Sequence, residues 1–430
     1  MLLKVVVVGG GIAGVTAAET IRNLDDECEI ILVSEEPPLY SPCVFHLCLS
    51  GELDPGRAFI ETVNSLQKKN ISFLKEKVVK IDKDQKKIYL SNGTAVSYDK
   101  LILATGSYPV IPPIDGVKKD LVFTFKTFKD FQKIYEITRK KPGGSAVIIG
   151  GGVIGVEVAY ALKNIGWTVY IIEVLERVLP RLLDPELALR VKSLLEANGI
   201  HVFTGEKVLR IIETKEKTYT VITDRRAIGC DIVILVTGMR PRIELAKEIG
   251  IELGPSGGIK VNPYMMTNVN DIFACGDCVE VEDLASGKSK LSLLWHVAKL
   301  QGYIAGLNCI GVQRKFPGAL NLTITNLLGT YIISNGNTLD DFKGEKTNIL
   351  EKKDEENYLR IILVDGKVVS LQFVGKNPGT EYFGIMLGTM RRAKELEMLQ
   401  KIQEIAKKEK IIKRANPLLL YTPLSPGILS

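Results

Sequence analysis

The stretch Lys4-Val-Val-Val-Val8, followed by Gly9-Gly-Gly-Ile-Ala-Gly14 and then Val15 to Leu24, decides how this 430-residue chain is read. A β-branched run reads as a strand, glycines spaced G-x-G-x-x-G as a tight turn, and the apolar segment after them as a helix. A second apolar run, Glu29 to Val33, ends in Ser34-Glu35, about 20 residues beyond the last of those glycines. Strand, turn, helix and strand complete a βαβ unit of the dinucleotide-binding kind. The three glycines meet separate physical needs, since one allows the turn, one lets the backbone approach a pyrophosphate, and one lets helix and strand pack closely. Gly9, Gly11 and Gly14 fill these roles.

The same arrangement returns 141 residues later: Ser145 to Ile149, Gly150-Gly-Gly-Val-Ile-Gly155, a helix over Val156 to Asn164, and a strand over Trp167 to Ile172 that ends in Glu173. That offset is too long for a solenoid repeat and indicates two separate dinucleotide-binding domains, with Gly150, Gly152 and Gly155 in the second turn. Each copy is followed by a strand ending in Thr-Gly, Leu101-Ile-Leu-Ala-Thr-Gly106 and Val233-Ile-Leu-Val-Thr-Gly238. Pro109, Pro112 and Pro113 after the first, and Pro241 after the second, mark crossings between domains. Beyond Gly311 the texture changes. Strands Tyr358 to Val364 and Lys367 to Val374 flank an Asp365-Gly366 hairpin turn, and a charged, helix-rich stretch runs from Glu381 to Lys413. The expected fold is α/β: two Rossmann-like domains, the first over 1–110 resumed at 243–316, the second over 111–242, and a C-terminal α+β dimerisation domain over 317–430.

Composition agrees with a multidomain globular protein. A single core stops growing near roughly 250–300 residues, so this length divides. Hydrophobic residues are 46% and charged residues 25%, and a net charge of +6 is too dilute to point to nucleic acid. The basic block Lys407 to Arg414 reads as the polar face of a helix. Val5 to Val8, the longest early apolar run, is far short of the roughly 18 residues a membrane helix needs, so a cytoplasmic protein with no membrane contact is expected. Seven cysteines, sparse and odd in number, indicate reduced thiols rather than a disulfide framework.

An acid at the end of the second strand accepts hydrogen bonds from a ribose diol and repels a 2′-phosphate. Glu35 and Glu173 hold these positions, although Glu35, next to Glu36, also reads as a solvated loop carboxylate. Val174 and Leu175 stand where an arginine pair would favour a 2′-phosphate, so the second site is expected to take NADH rather than NADPH, with Arg177 nearby as a counter-indication.

Taken together, Gly9 to Gly14, Ala104-Thr105-Gly106, Gly150 to Glu157, Thr237-Gly238-x-Arg240-Pro241 and Cys275-Gly276-Asp277 resemble the FAD-dependent pyridine nucleotide-disulfide oxidoreductases over nearly the whole length. The resemblance implies FAD in the first domain and the nicotinamide dinucleotide in the second. It gives Asp277 the ribityl chain of the flavin, adds Thr105, Gly106 and Gly238 to the cofactor-binding set, and puts Glu157 near the flavin and nicotinamide rings. Glu157 also reads as a carboxylate in the first turn of its helix, favoured by the macrodipole. Cys275-Gly-Asp-Cys278 is then a flavin-binding turn. As a zinc site it would need a second ligand pair, which the other cysteines and His46, His201 and His296 do not supply at suitable spacing, and no metal is expected.

Tyr40-Ser-Pro-Cys43-Val-Phe-His-Leu-Cys48-Leu-Ser-Gly51 stands where this family places its redox cysteine. Cys43 and Cys48 have the C-x-x-x-x-C spacing of the dithiol branch, similar to glutathione reductase. Five residues of ideal helix separate Cα atoms by about 7.5 Å of rise, beyond the ~7 Å reach of a disulfide. The chain also lacks that branch's Gly-Gly-x-Cys approach and its C-terminal His-Pro-Thr with a following Glu. The single-cysteine branch, comprising NADH oxidases, coenzyme A-disulfide reductases and persulfide reductases, fits better. Cys43 is its nucleophile, at a helix N-terminus expected to lower the thiol pKa. His46, where a proline is usual, and Leu47 and Cys48, where aromatics are common, depart from that group. Arg22 resembles a coenzyme A contact and reads equally as a solvated helix-face arginine. Tyr421, in Leu420 to Pro426, resembles a C-terminal segment that reaches the partner's active site in a homodimer, as proton donor or as aromatic anchor.

The resemblance therefore implies a homodimeric enzyme in which NADH reduces FAD and Cys43 passes electrons to a small disulfide, persulfide or polysulfide, or to dioxygen. Two other readings stand beside it: an electron-transfer reductase similar to those serving rubredoxin or nitrite reductase, with no cycling cysteine, and a flavin-carrying subunit of a larger complex.

Overall fold

The computed structural model of the chain describes residues 2–37, 39–117, 122–214, 218–376 and 378. Five strands form the first sheet, in the order Ile272–Ala274, Lys100–Leu103, Lys4–Val8, Glu29–Val33 and Ile71–Leu74, and every neighbouring pair is parallel. Val5, Val6 and Val7 in the central strand are fully buried. A parallel strand covered on both faces has no polar side to alternate with, which is why this one reads as an unbroken β-branched run. The sheet draws its strands from two stretches of chain on either side of the second dinucleotide unit.

Four parallel strands form the second sheet, in the order Ile200–Thr204, Thr168–Glu173, Ser145–Ile149 and Ile232–Leu235. In each sheet the fingerprint strand lies between the next strand of its own βαβ unit and the strand that ends in Thr-Gly. That is a topological switch point, where parallel sheets of this kind open a crevice at the carboxyl ends of the strands. A feature the sequence pattern did not disclose is duplicated too. Each unit carries a three-stranded antiparallel sheet before its Thr-Gly strand, Val78–Asp82 with Lys87–Leu90 and Ala95–Ser97 in the first, and Val208–Glu213 with Tyr219–Thr223 and Ala227–Cys230 in the second.

The first fingerprint helix, Ile12–Arg22, packs along Trp295–Cys309 through small residues. A Cβ on Gly302 would overlap the Ala13 carbonyl, and one on Gly306 would crowd that of Ala17, so glycines four apart bring the two backbones into contact. The two crossings form an antiparallel ribbon, Ser107–Pro109 against Met239–Pro241. Each Thr-Gly turn ties the other's continuation: Thr105 Oγ1 donates to the Arg242 carbonyl at 2.7 Å and Thr237 Oγ1 to that of Val110 at 2.8 Å.

The chain divides into two compact units, and both parallel sheets lie in the first. The second holds a five-stranded antiparallel sheet in the order Thr323–Leu327, Thr330–Ser334, Lys367–Gly375, Asn357–Val364 and Thr347–Lys353. Its hairpin turns at Asp365 and Gly366, both with positive φ, as a two-residue turn matched to strand twist requires. Within this unit Arg360 is buried and braced by Asp184 and Glu186 at 3.3 and 2.8 Å, and its Nε donates to Glu351 at 2.6 Å. The expected helical stretch Glu381 to Lys413, and Tyr421, lie outside the described residues. Among the described residues no helix is long and apolar enough to cross a membrane.

Candidate functional site

The two glycine turns are superimposable in their logic. Gly9 and Gly150 have φ of +119° and +117°, and a Cβ on either would strike a carbonyl of the adjacent Thr-Gly strand, Ala104 or Val236. Gly14 and Gly155 sit inside their helices, where a Cβ would overlap the carbonyls of Gly9 and Gly150. Gly11 and Gly152 differ: each is the helix N-cap, without a side-chain cap hydrogen bond, and a Cβ there would meet nothing within 4 Å. Open space in front of uncapped N–H groups is what an anionic pyrophosphate requires. Both helices begin directly after these caps, at Ile12 and Val153, one turn earlier than the apolar spacing indicated.

Glu35 is exposed just past the end of Glu29–Val33. Its neighbour Glu36 accepts a hydrogen bond from the Tyr40 hydroxyl. Glu173 is only 7% exposed, and its carboxylate accepts the backbone N–H groups of Gly151 at 2.6 Å and Leu175 at 2.9 Å. It therefore shapes the second glycine turn, while each oxygen retains another lone pair. Val174 and Leu175 are 60% and 51% exposed, and Arg177 donates to the Pro180 carbonyl.

Around the first crevice, Gly106 has φ +71° and Asp277 follows the turn glycine Gly276. Asp277 Oδ2 accepts from Ser107 at 2.7 Å and from Lys126 at 3.1 Å. Cys275 and Cys278 are fully buried, with the Cys278 thiol facing the carbonyls of Cys275 and Leu103. Burial raises both thiols above the ordinary range.

Cys43 lies in the helical turn Pro42–Val44, which leads into the helix Phe45–Ser50. Phe45 anchors that helix by stacking on Tyr40 and Phe131, with centroids 5.5 and 5.0 Å apart, and Gly51, with φ +86°, ends it. The helix packs on the second fingerprint helix, Val153–Asn164. There His46 Nδ1 comes within 3.6 Å of Glu157 Oε2.

The lowered thiol pKa expected from a helix N-terminus is not what this environment produces. Burial first, then the Glu157 carboxylate, push Cys43 up to about 12; Asp277 adds to this, while Lys126 and a hydrogen bond from Ser41 act in the opposite direction. The helical segments are too short for a dipole to overcome burial and a neighbouring anion. All seven cysteines are free thiols. Cys48 is fully buried and donates to the Asp54 carbonyl.

Two further expectations change. Glu157 is the fifth residue of its helix, beyond the first turn, which carries no acid, so the carboxylate faces His46 rather than capping the dipole. Arg22 is half-buried, and its terminal nitrogens are engaged within the chain. They donate to the carbonyls of Asp25, Asp26, Cys28 and Asn70. Sequence reading missed the pairings of Lys126 with Asp277 and of His46 with Glu157, because both join residues over a hundred positions apart with no motif linking them.

The family model described as pyridine nucleotide-disulphide oxidoreductase matches residues 3–302. An NADH oxidase of Methanocaldococcus jannaschii is 34% identical over 397 residues, covering 87% of this chain and 88% of the relative. An NAD(P)H coenzyme A polysulfide/persulfide reductase of Pyrococcus horikoshii is 32% identical, covering 79% of this chain and 76% of the relative. Among solved structures, an NAD-dependent persulfide reductase from A. fulgidus superposes with a TM-score of 0.86 at 28% identity, over 94% of this chain and 83% of that one.

Proposed function

The chain belongs to the pyridine nucleotide-disulphide oxidoreductase family, and from that premise we propose that it is an NADH-linked flavoprotein in which Cys43 is the redox thiol and a small sulfur compound the electron acceptor. The acceptor is a coenzyme A disulfide, persulfide or polysulfide. The observation that carries this reading is convergence: the helix that follows Cys43 packs on the second fingerprint helix, with His46 3.6 Å from Glu157, and the paired Lys126 and Asp277 beside the first glycine turn also act on the thiol.

The residues fit two dinucleotides. Gly9, Gly11 and Gly14 form the cradle for the FAD pyrophosphate, with Glu35 at its ribose and Thr105 and Gly106 at the turn. Asp277, whose two protein contacts both fall on Oδ2, would hold the ribityl chain. Gly150, Gly152 and Gly155 form the corresponding cradle for NADH, with Gly238 at its rim, and Glu173 accepts the ribose hydroxyls through its remaining lone pairs. A 2′-phosphate would meet that carboxylate and the exposed Val174 and Leu175, which favours NADH over NADPH. Bound FAD supplies hydride acceptance from NADH and delivery of the electron pair to sulfur. The protein's own part is to hold Cys43 among Glu157, Lys126 and Ser41 and to exclude water with the Tyr40, Phe45 and Phe131 cluster. The C-terminal unit is assigned to homodimerisation, with Tyr421 as the group it brings to the partner's Cys43.

Turnover with NADH is to be measured against coenzyme A disulfide, coenzyme A persulfide, polysulfide and dioxygen, in the native protein and in Cys43→Ser. The expected result is activity on at least one sulfur acceptor, with a loss on the order of a thousandfold or more in the variant. Undiminished sulfur reduction by Cys43→Ser would favour the electron-transfer reading, and activity confined to dioxygen would make the protein an oxidase.

A further inference from the structure

His46 and Glu157 meet where the helix Phe45–Ser50 packs on Val153–Asn164, with Nδ1 3.6 Å from Oε2 and side chains only 6% and 13% exposed. Position 46 follows 43 by three residues, across the step from the 3₁₀ turn Pro42–Val44 into the helix Phe45–Ser50, where Val44 is the N-cap. In a turn of about three residues, positions three apart come to the same side of the chain. Glu157 links the two, since it meets His46 and its charge also acts on Cys43. The other charged groups acting on the thiol are Lys126 and Asp277, and Ser41 hydrogen-bonds it.

A carboxylate alone beside a thiol opposes ionisation. An imidazole beside both reverses the effect, because a proton moved from sulfur to imidazole leaves a cation that faces an anion on either side. We propose that His46 takes the proton of Cys43 and that Glu157 positions and balances the resulting imidazolium, so that the reactive thiolate is generated by a Cys43–His46–Glu157 relay. This rests on Cys43 being the redox thiol. The S–H bond breaks, an N–H bond forms on the imidazole nitrogen that does not face Glu157, no electron moves, and the summed charge of the three groups is unchanged. When the thiolate attacks one sulfur of a persulfide or disulfide, a new S–S bond forms as the old one breaks. The proton held on His46 leaves with the departing thiolate, which restores the neutral imidazole.

The test follows alkylation of Cys43 by iodoacetamide against pH in the full-length, flavin-loaded protein, read from the modified peptide by mass spectrometry. His46→Gln keeps a hydrogen-bonding group of similar size that cannot take a proton. It is expected to move the midpoint of the profile upward and to slow alkylation near neutrality by at least about tenfold, the change in thiolate that one pH unit brings. Glu157→Gln is expected to speed alkylation when combined with His46→Gln, where only repulsion is relieved, and to give no gain when His46 is present. An unchanged profile in His46→Gln, or equal acceleration by Glu157→Gln with and without His46, would overturn the relay. If His46→Gln does not fold, Glu157→Gln alone decides: faster alkylation near neutrality overturns the relay, and an unchanged or slower rate supports it. The underlying reading fails separately, through a Cys43→Ser protein that still reduces sulfur acceptors.

Discussion

Single residues separate space kept for packing from space kept for a ligand. A methyl group at Gly14 or Gly155 would collide with a backbone carbonyl, whereas one at Gly152 meets nothing within 4 Å. Gly14→Ala and Gly155→Ala should each destabilise the protein by about 1–3 kcal/mol or more, seen as a lower thermal midpoint. Gly152→Ala should leave that midpoint nearly unchanged and raise the KM for NADH, because the methyl group enters the space assigned to the pyrophosphate. Arg22→Gln should cost roughly 2 kcal/mol for the donors it removes from four carbonyls, with the KM for coenzyme A substrates unaltered. The buried thiols set an alkaline limit. Burial, then Asp54, raises Cys48 from 9.0 to about 11, and burial raises Cys230 to about 12. The folded state thus keeps protons that the unfolded chain gives up. The resulting stability is complete below about pH 9 and is lost as pH rises through 11 to 12. Urea midpoints should fall across that window, and Cys48→Ala should flatten the first part of the decline.

At the scale of elements, the ribbon joining the two crossings is the part most exposed to test. Thr105→Val and Thr237→Val each remove one hydrogen bond across it, at a cost of about 0.5–1.5 kcal/mol. Because the bonds lie at opposite ends of the ribbon, the double variant should lose the sum by chemical denaturation, and clear non-additivity would show that they act as one unit. Much of this architecture was legible beforehand. The two glycine turns, the Thr-Gly strands and the Asp365-Gly366 hairpin are written in local chemistry, where a positive φ or a buried β-branched run leaves few alternatives. Three things were not legible. The duplicated antiparallel sheets alternate too weakly to stand out, the helices start at uncapped glycines that carry no apolar signal, and the thiol's environment is built by residues distant in sequence. Cys43 illustrates the last point. Its position suggested a low pKa, but Glu157, on another helix, and burial decide the sign.

Over the whole molecule, the duplication becomes a division of labour: two parallel sheets in one compact unit, each with a topological switch point, and a second unit that we propose mediates self-association. The protein should sediment at twice the chain mass, and Tyr421→Phe should lower turnover without altering flavin content if the partner's tyrosine supplies a proton. The central claim, that one chain binds both dinucleotides and passes electrons from NADH to Cys43, is tested most directly by following flavin absorbance in the FAD-loaded protein without oxygen. On adding NADH, the absorbance should bleach in both the native protein and Cys43→Ser. A coenzyme A disulfide or persulfide should then restore it rapidly in the native protein alone. A chain that takes up no FAD, a flavin that NADH leaves unchanged, or equal recovery in the serine variant would contradict the claim.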